Sequence, residues 1–107
     1  MLTIDMQPIP NQRFQATMDG VSYDVTVRDA GDILLMDVTA NGVVIATSLP
    51  CIARQLVMPY PYLEGAGGNF VFVTTSGDNP QSANLGTADI LLYATAAELA
   101  AARAAWS

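Results

Sequence analysis

Gly68-Asn69-Phe70-Val71-Phe72-Val73-Thr74-Thr75-Ser76 and, after twelve intervening residues, Asp89-Ile90-Leu91-Leu92-Tyr93-Ala94 are the two runs that decide how this chain reads. They are the most apolar, β-branched and aromatic segments in it. That composition predicts neighbouring strands at the centre of a small all-β core. The loop between them, Gly77-Asp78-Asn79-Pro80-Gln81-Ser82-Ala83-Asn84-Leu85-Gly86-Thr87, is too long for a tight hairpin and too polar to be buried. Gly65-Ala66-Gly67-Gly68, just upstream, reads as a flexible hinge into the pair.

Outward toward the N-terminus, more strands follow from alternation and turn chemistry. Met1 to Met6 alternates, with Leu2, Ile4 and Met6 on one face. Gln7-Pro8-Ile9-Pro10-Asn11 breaks that strand, because proline donates no backbone hydrogen bond. Gln12 to Met18 and Val21 to Arg28 alternate around Asp19-Gly20, a strong hairpin signal because both turn residues accept positive φ. Asp29-Ala30-Gly31-Asp32 is a second turn, Ile33 to Thr39 a further strand, Asn41-Gly42 a third turn, and Val43 to Ser48 another strand, completing an antiparallel meander. Leu49 to Glu64 carries Pro50, Pro59 and Pro61, which forbid a long regular element. Cys51 to Met58 is one strand or a short helical turn, with an extended crossing favoured.

Outward toward the C-terminus, Thr95-Ala96-Ala97-Glu98 fits a capping box at the head of an alanine-rich helix ending at Ser107. Leu99, Arg103 and Trp106 recur on one side of it. A helix this short needs something to pack on, within the chain or on another. Short strands at spacings of about ten residues predict a small antiparallel β-barrel, OB-like or related, over residues 1–94, with the helix of residues 95–107 appended.

Composition excludes several functions. With 107 residues the chain is one domain by length, and 51% hydrophobic with 13% charged residues is far from the disordered balance. The net charge is −6, and Arg13, Arg28, Arg54 and Arg103 are scattered, so direct nucleic-acid binding is not expected. No apolar run reaches the roughly 20 residues that span a bilayer. There is no histidine and no lysine, hence no usual nucleophile triad and no base for Cys51, which reads as a packing residue. No calcium loop, P-loop or multi-cysteine site occurs, and neither enzyme activity nor a cofactor is expected. What remains is contact surface. Met58, Tyr60 and Tyr62 lie in a proline-fixed segment, Met58-Pro59-Tyr60-Pro61-Tyr62, which fits an interface or local core equally well. Asp78 and Asn79 in the polar loop, and Leu99, Arg103 and Trp106 on the helix, complete the candidate interface residues.

The order of these features resembles the small plug proteins of contractile-tailed phage baseplates, a family typified by a cyanophage baseplate plug. The resemblance runs over residues 2 to 94. It rests on the opening strand and Pro connector (Ile4 to Pro10), the Asp19-Gly20 hairpin and the Leu49-Pro50 segment. It rests also on Phe70-Val71-Phe72-Val73, the polar loop closing in Leu85-Gly86, and Ile90-Leu91-Leu92-Tyr93. The added alanine-rich helix departs from it. The resemblance implies a structural virion protein of the tail baseplate, assembled in the host cytoplasm. It would fill or seal the lumen where tube, hub and spike meet and rearrange on contraction. Implied partners are hub, spike, tail tube or tube initiator, with the chain itself a trimer or hexamer. A second reading is a β-barrel module that binds a small ligand or oligosaccharide, with Tyr60, Tyr62 or Trp106 at the pocket mouth.

Overall fold

Two Xaa-Gly dipeptides set the meander. Asp19 and Gly20 have φ of 55° and 73°, and Asn41 and Gly42 have 51° and 80°. Both positions of each turn are thus left-handed, the geometry that matches the twist of flanking strands. In the computed structural model, residues 2–31, 33–58, 67–75 and 77–106 are described, with side chains to Arg103. The elements are β1 (Leu2–Ile4), β2 (Asn11–Met18), β3 (Val21–Asp29), β4 (Leu34–Ala40), β5 (Val43–Pro50), β6 (Asn69–Thr74), β7 (Asp89–Ala94) and α1 (Ala96–Trp106), with a 3₁₀ turn at Ser82–Asn84.

The strands form two antiparallel sheets, β1-β7-β6 and β2-β3-β4-β5, and neither closes into a barrel. The all-β class holds, while the barrel expectation is corrected. The sheets part at two places. Pro8 and Pro10 sit between β1 and β2, so β1 pairs with β7 instead, Leu2 opposite Tyr93 and Ile4 opposite Leu91. Gln7 and Gln12 tie that corner: the Gln12 side chain accepts from the Gln7 amide (3.0 Å) and donates to its carbonyl (2.7 Å). At the other side, β5 ends at Pro50. The segment beyond it pairs with β6 at the isolated bridges Ala53–Phe72 and Leu56–Val71 rather than along a strand. Cys51 to Met58 is therefore an irregular crossing with a turn at Ile52–Gln55, neither the extended crossing favoured from sequence nor a continuous strand. The expected central pair is present, with Phe70 opposite Tyr93 and Phe72 opposite Leu91.

Both sheets contribute to one core. Tyr23, Val25, Val27, Leu34, Met36 and Val38 face it from β3 and β4, and Phe70, Phe72, Leu91 and Tyr93 from β6 and β7. The ring of Phe70 meets Tyr23 at 5.5 Å and Tyr93 at 5.4 Å, edge to face, a favoured aromatic geometry. Cys51 is buried there and desolvation pushes its thiol up to about 12. It is the packing residue the sequence suggests.

The hinge expectation for the glycine run is corrected for Gly67 and Gly68, whereas Gly65 and Ala66 lie outside the described residues. A Cβ on Gly68 would sit 1.8 Å from the Ala94 carbonyl oxygen, and one on Gly67 the same distance from Tyr23 Oη. These glycines are there for close approach, not freedom. The Gly68 amide donates to Tyr93 Oη, which lies 3.3 Å from Tyr23 Oη and itself donates to Asp19 at 2.8 Å. Burial and the Tyr23 bond raise the Tyr93 pKa, so its hydroxyl stays protonated and able to donate. The same Asp19 oxygen accepts from the Ala96 amide at 2.8 Å, placing a carboxylate at the start of α1. The capping box forms as well, Thr95 Oγ1 accepting from the Glu98 amide (3.2 Å) and Glu98 from the Thr95 amide (3.1 Å).

Candidate protein interface

An antiparallel strand with one wet face alternates apolar and polar residues. The runs 70–73 and 90–93 do not alternate, and the register explains what the second face does. Phe70, Phe72, Leu91 and Tyr93 point into the core. Val71 and Val73 therefore point outward, opposite Leu92 and Ile90. Val71 is 9% exposed and Val73 38%, with Ile90 and Leu92 half-buried. The three-stranded sheet thus carries an apolar outer face that the chain covers only in part.

Its cover comes from two elements. One is the 51–58 crossing, which hydrogen-bonds along β6 through the Arg54 amide to Phe72 O and the Val57 amide to Phe70 O, both 2.8 Å. Asn69 fastens the end of this crossing, accepting from the Met58 amide (3.0 Å) and donating to the Met58 carbonyl (2.8 Å). The other is α1, whose Leu99 is buried. Between them lies an open cavity of about 240 Å³. Leu56, Val71, Ala94, Leu99 and Ala102 give it apolar walls, and Arg54, Glu98 and Arg103 supply its charges. Arg54 has φ +62°, a strained conformation for a side chain of its size. The bridges at Ala53 and Leu56 on either side hold it there.

Of the residues singled out from sequence, Leu99 and Arg103 meet at this cavity. Met58 does not reach the surface: at 1% exposure it belongs to the core, the other half of the equal reading it had. Tyr60 and Tyr62 lie outside the described residues, as does the side chain of Trp106. Asp78 and Asn79 are exposed but lie elsewhere, on loop 77–87. That loop is pinned. Asn79 accepts from the Ala53 amide (3.1 Å) and Thr74 Oγ1 donates to the Asp78 carbonyl (2.7 Å). Asp89 accepts from the Gln81 amide (2.8 Å), and Ser82 Oγ donates to Asp29 (2.6 Å). The Ser82 hydroxyl, then the Gly31 amide, hold the Asp29 carboxyl below the usual carboxylate range.

Sequence reasoning missed Leu56, Val71, Val73, Ile90, Leu92 and Ala102. The missing alternation in 70–73 and 90–93 was the available signal.

Electrostatics separate the two sheets. On the four-stranded sheet, Arg13 grips Asp24 with two nitrogens, and Arg28 pairs with Asp37 at 3.0 Å. Burial raises the Asp37 pKa, but the Ser48 amide and Arg28 outweigh it and the net shift is down. Among the described residues, Arg54 makes no ion pair. Among them, too, no three His, Cys, Asp or Glu side chains gather as a metal site, and no helix is long and apolar enough to cross a membrane.

A family described as cyanophage baseplate Pam3 plug gp18 matches residues 1–97. No curated protein sequence matches.

Proposed function

The chain belongs to the cyanophage baseplate plug family, a family of structural phage baseplate proteins, and on that premise we propose that it fills or seals the baseplate lumen at the junction of tube, hub and spike. One observation carries the reading. The three-stranded sheet has an apolar outer face, Val71, Val73, Ile90 and Leu92, that its own chain covers only in part. A surface of that kind on a small domain marks a contact site. Partner proteins of the baseplate complete the cover, and copies of the chain assemble as a trimer or hexamer about the tail axis. Release on contraction requires a contact that comes apart, as small polar-rimmed interfaces do more readily than core-like ones.

The test is the mass of the purified protein by light scattering, alone and mixed in turn with the hub, spike and tube proteins of the same phage. A defined trimer or hexamer, or a stable complex with one of those proteins, is the expected result. A strict monomer that ignores all of them would overturn the lumen reading. The rival reading, a ligand-binding barrel, loses its geometric basis because the sheets do not close.

A further inference from the structure

The cavity between α1 and the 51–58 crossing has a size, a charge and a position that together specify an occupant. About 240 Å³ is room for one large side chain: a cavity of about 150 Å³ takes up benzene. Its walls are apolar, and its charged groups are two arginines against one glutamate. Glu98 and Arg103 have partners of their own, which leaves Arg54 as the charge open to a newcomer. Arg54, without an ion pair among the described residues, is exposed on a backbone tied down at both sides. Half of the lining, Glu98, Leu99, Ala102 and Arg103, lies beyond residue 97, where the family match ends.

We propose that this cavity receives a single leucine or phenylalanine side chain from an acidic segment of a partner protein, with a carboxylate one or two residues away pairing with Arg54. The apolar walls take the side chain, and the guanidinium supplies the preference for acid over base. The inference names the chemistry of one partner and so rests on the baseplate reading. The experiment uses only the isolated chain and short peptides, so its failure leaves that reading standing.

The ¹⁵N-labelled full chain is titrated with acetyl-Ser-Glu-Phe-Asp-Ser-amide and followed by amide chemical shifts. Two control peptides replace the central phenylalanine by alanine or both acids by lysine. Saturable shifts at Leu56, Val71 and Leu99 are expected, with each control binding about tenfold more weakly. Ala102→Leu, which fills the cavity at a position tolerant of a good helix former, abolishes the shifts while leaving the rest of the spectrum in place. Arg54→Gln removes the preference for acid over lysine but keeps that for phenylalanine over alanine. Equal binding of the lysine peptide, or no saturable shift at millimolar peptide, would sink the proposal. So would self-association that Ala102→Leu abolishes, because the occupant would then be a second copy.

Discussion

Tyr93 joins parts of the chain that sequence keeps far apart. Its hydroxyl accepts from the Gly68 amide, lies against Tyr23 Oη and donates to Asp19 at the tip of the first hairpin. Tyr93→Phe keeps the ring in the aromatic cluster and strips away all three contacts, leaving a buried amide unpaired. A loss of about 1–3 kcal/mol is expected, read as a lower urea midpoint at unchanged slope. Cys51 makes the opposite kind of statement. Buried, with its thiol pushed up to about 12, it should ignore a thiol reagent in the folded protein and react at once in denaturant. Rapid labelling of the native protein would contradict its place in the core. Nothing in the sequence marks Tyr93 as a junction, since a tyrosine ending an apolar strand is ordinary. The lack of any histidine or lysine beside Cys51, by contrast, pointed to its inertness directly.

At the scale of elements, legibility followed range. The meander was readable because Asp19-Gly20 and Asn41-Gly42 act within four residues, and the capping box at Thr95 and Glu98 because it acts within three. The failure to close a barrel was not, because it depends on which distant strand β1 chooses. Gly67 and Gly68 misled for the same reason, their constraint coming from Tyr23 and Ala94 rather than from their own φ. Loop 77–87 read as a polar connector and is a fastened one. Its tie to Asp29 has a pH signature. A carboxyl held below its ordinary value of about 3.9 stabilises the fold above that pH and loses its contribution as pH falls through the folded-state value. Asp29→Asn should therefore flatten the decline in stability below pH 4. It should also speed hydrogen exchange at the Gln81 and Leu85 amides near neutrality. An unchanged acid limb would show that Ser82 contributes nothing through Asp29.

For the whole molecule, the sharpest test sets two adjacent residues against each other. Phe72 points into the core and Val73 out of it. Phe72→Ala should cost about 3–5 kcal/mol, enough to unfold a domain of ordinary stability. Val73→Asp should leave the melting temperature within a few degrees of wild type and cut association with the baseplate partner about tenfold or more. A Val73→Asp protein that assembles normally would remove the outer face from the interface. The face was legible only as a negative, the absence of alternation in 70–73 and 90–93. The cavity was not legible at all, because Arg54 and Ala102 come together only when α1 docks.

The Asp19 contact to Ala96 also has a consequence in time. The two residues are 77 positions apart. At the ribosome's pace of about 5–20 residues per second, the first hairpin waits some 4–15 s for the start of the helix it holds. Hairpins close in microseconds. The four-stranded sheet can thus assemble as it emerges, while the three-stranded sheet must await its last strand. Until β7 is released and β1 finds it, Tyr23, Val25 and Met36 have no opposite layer. The nascent chain therefore carries a bare apolar face for seconds before its own last strand covers it, the interval in which a chaperone or a neighbouring subunit would meet it first.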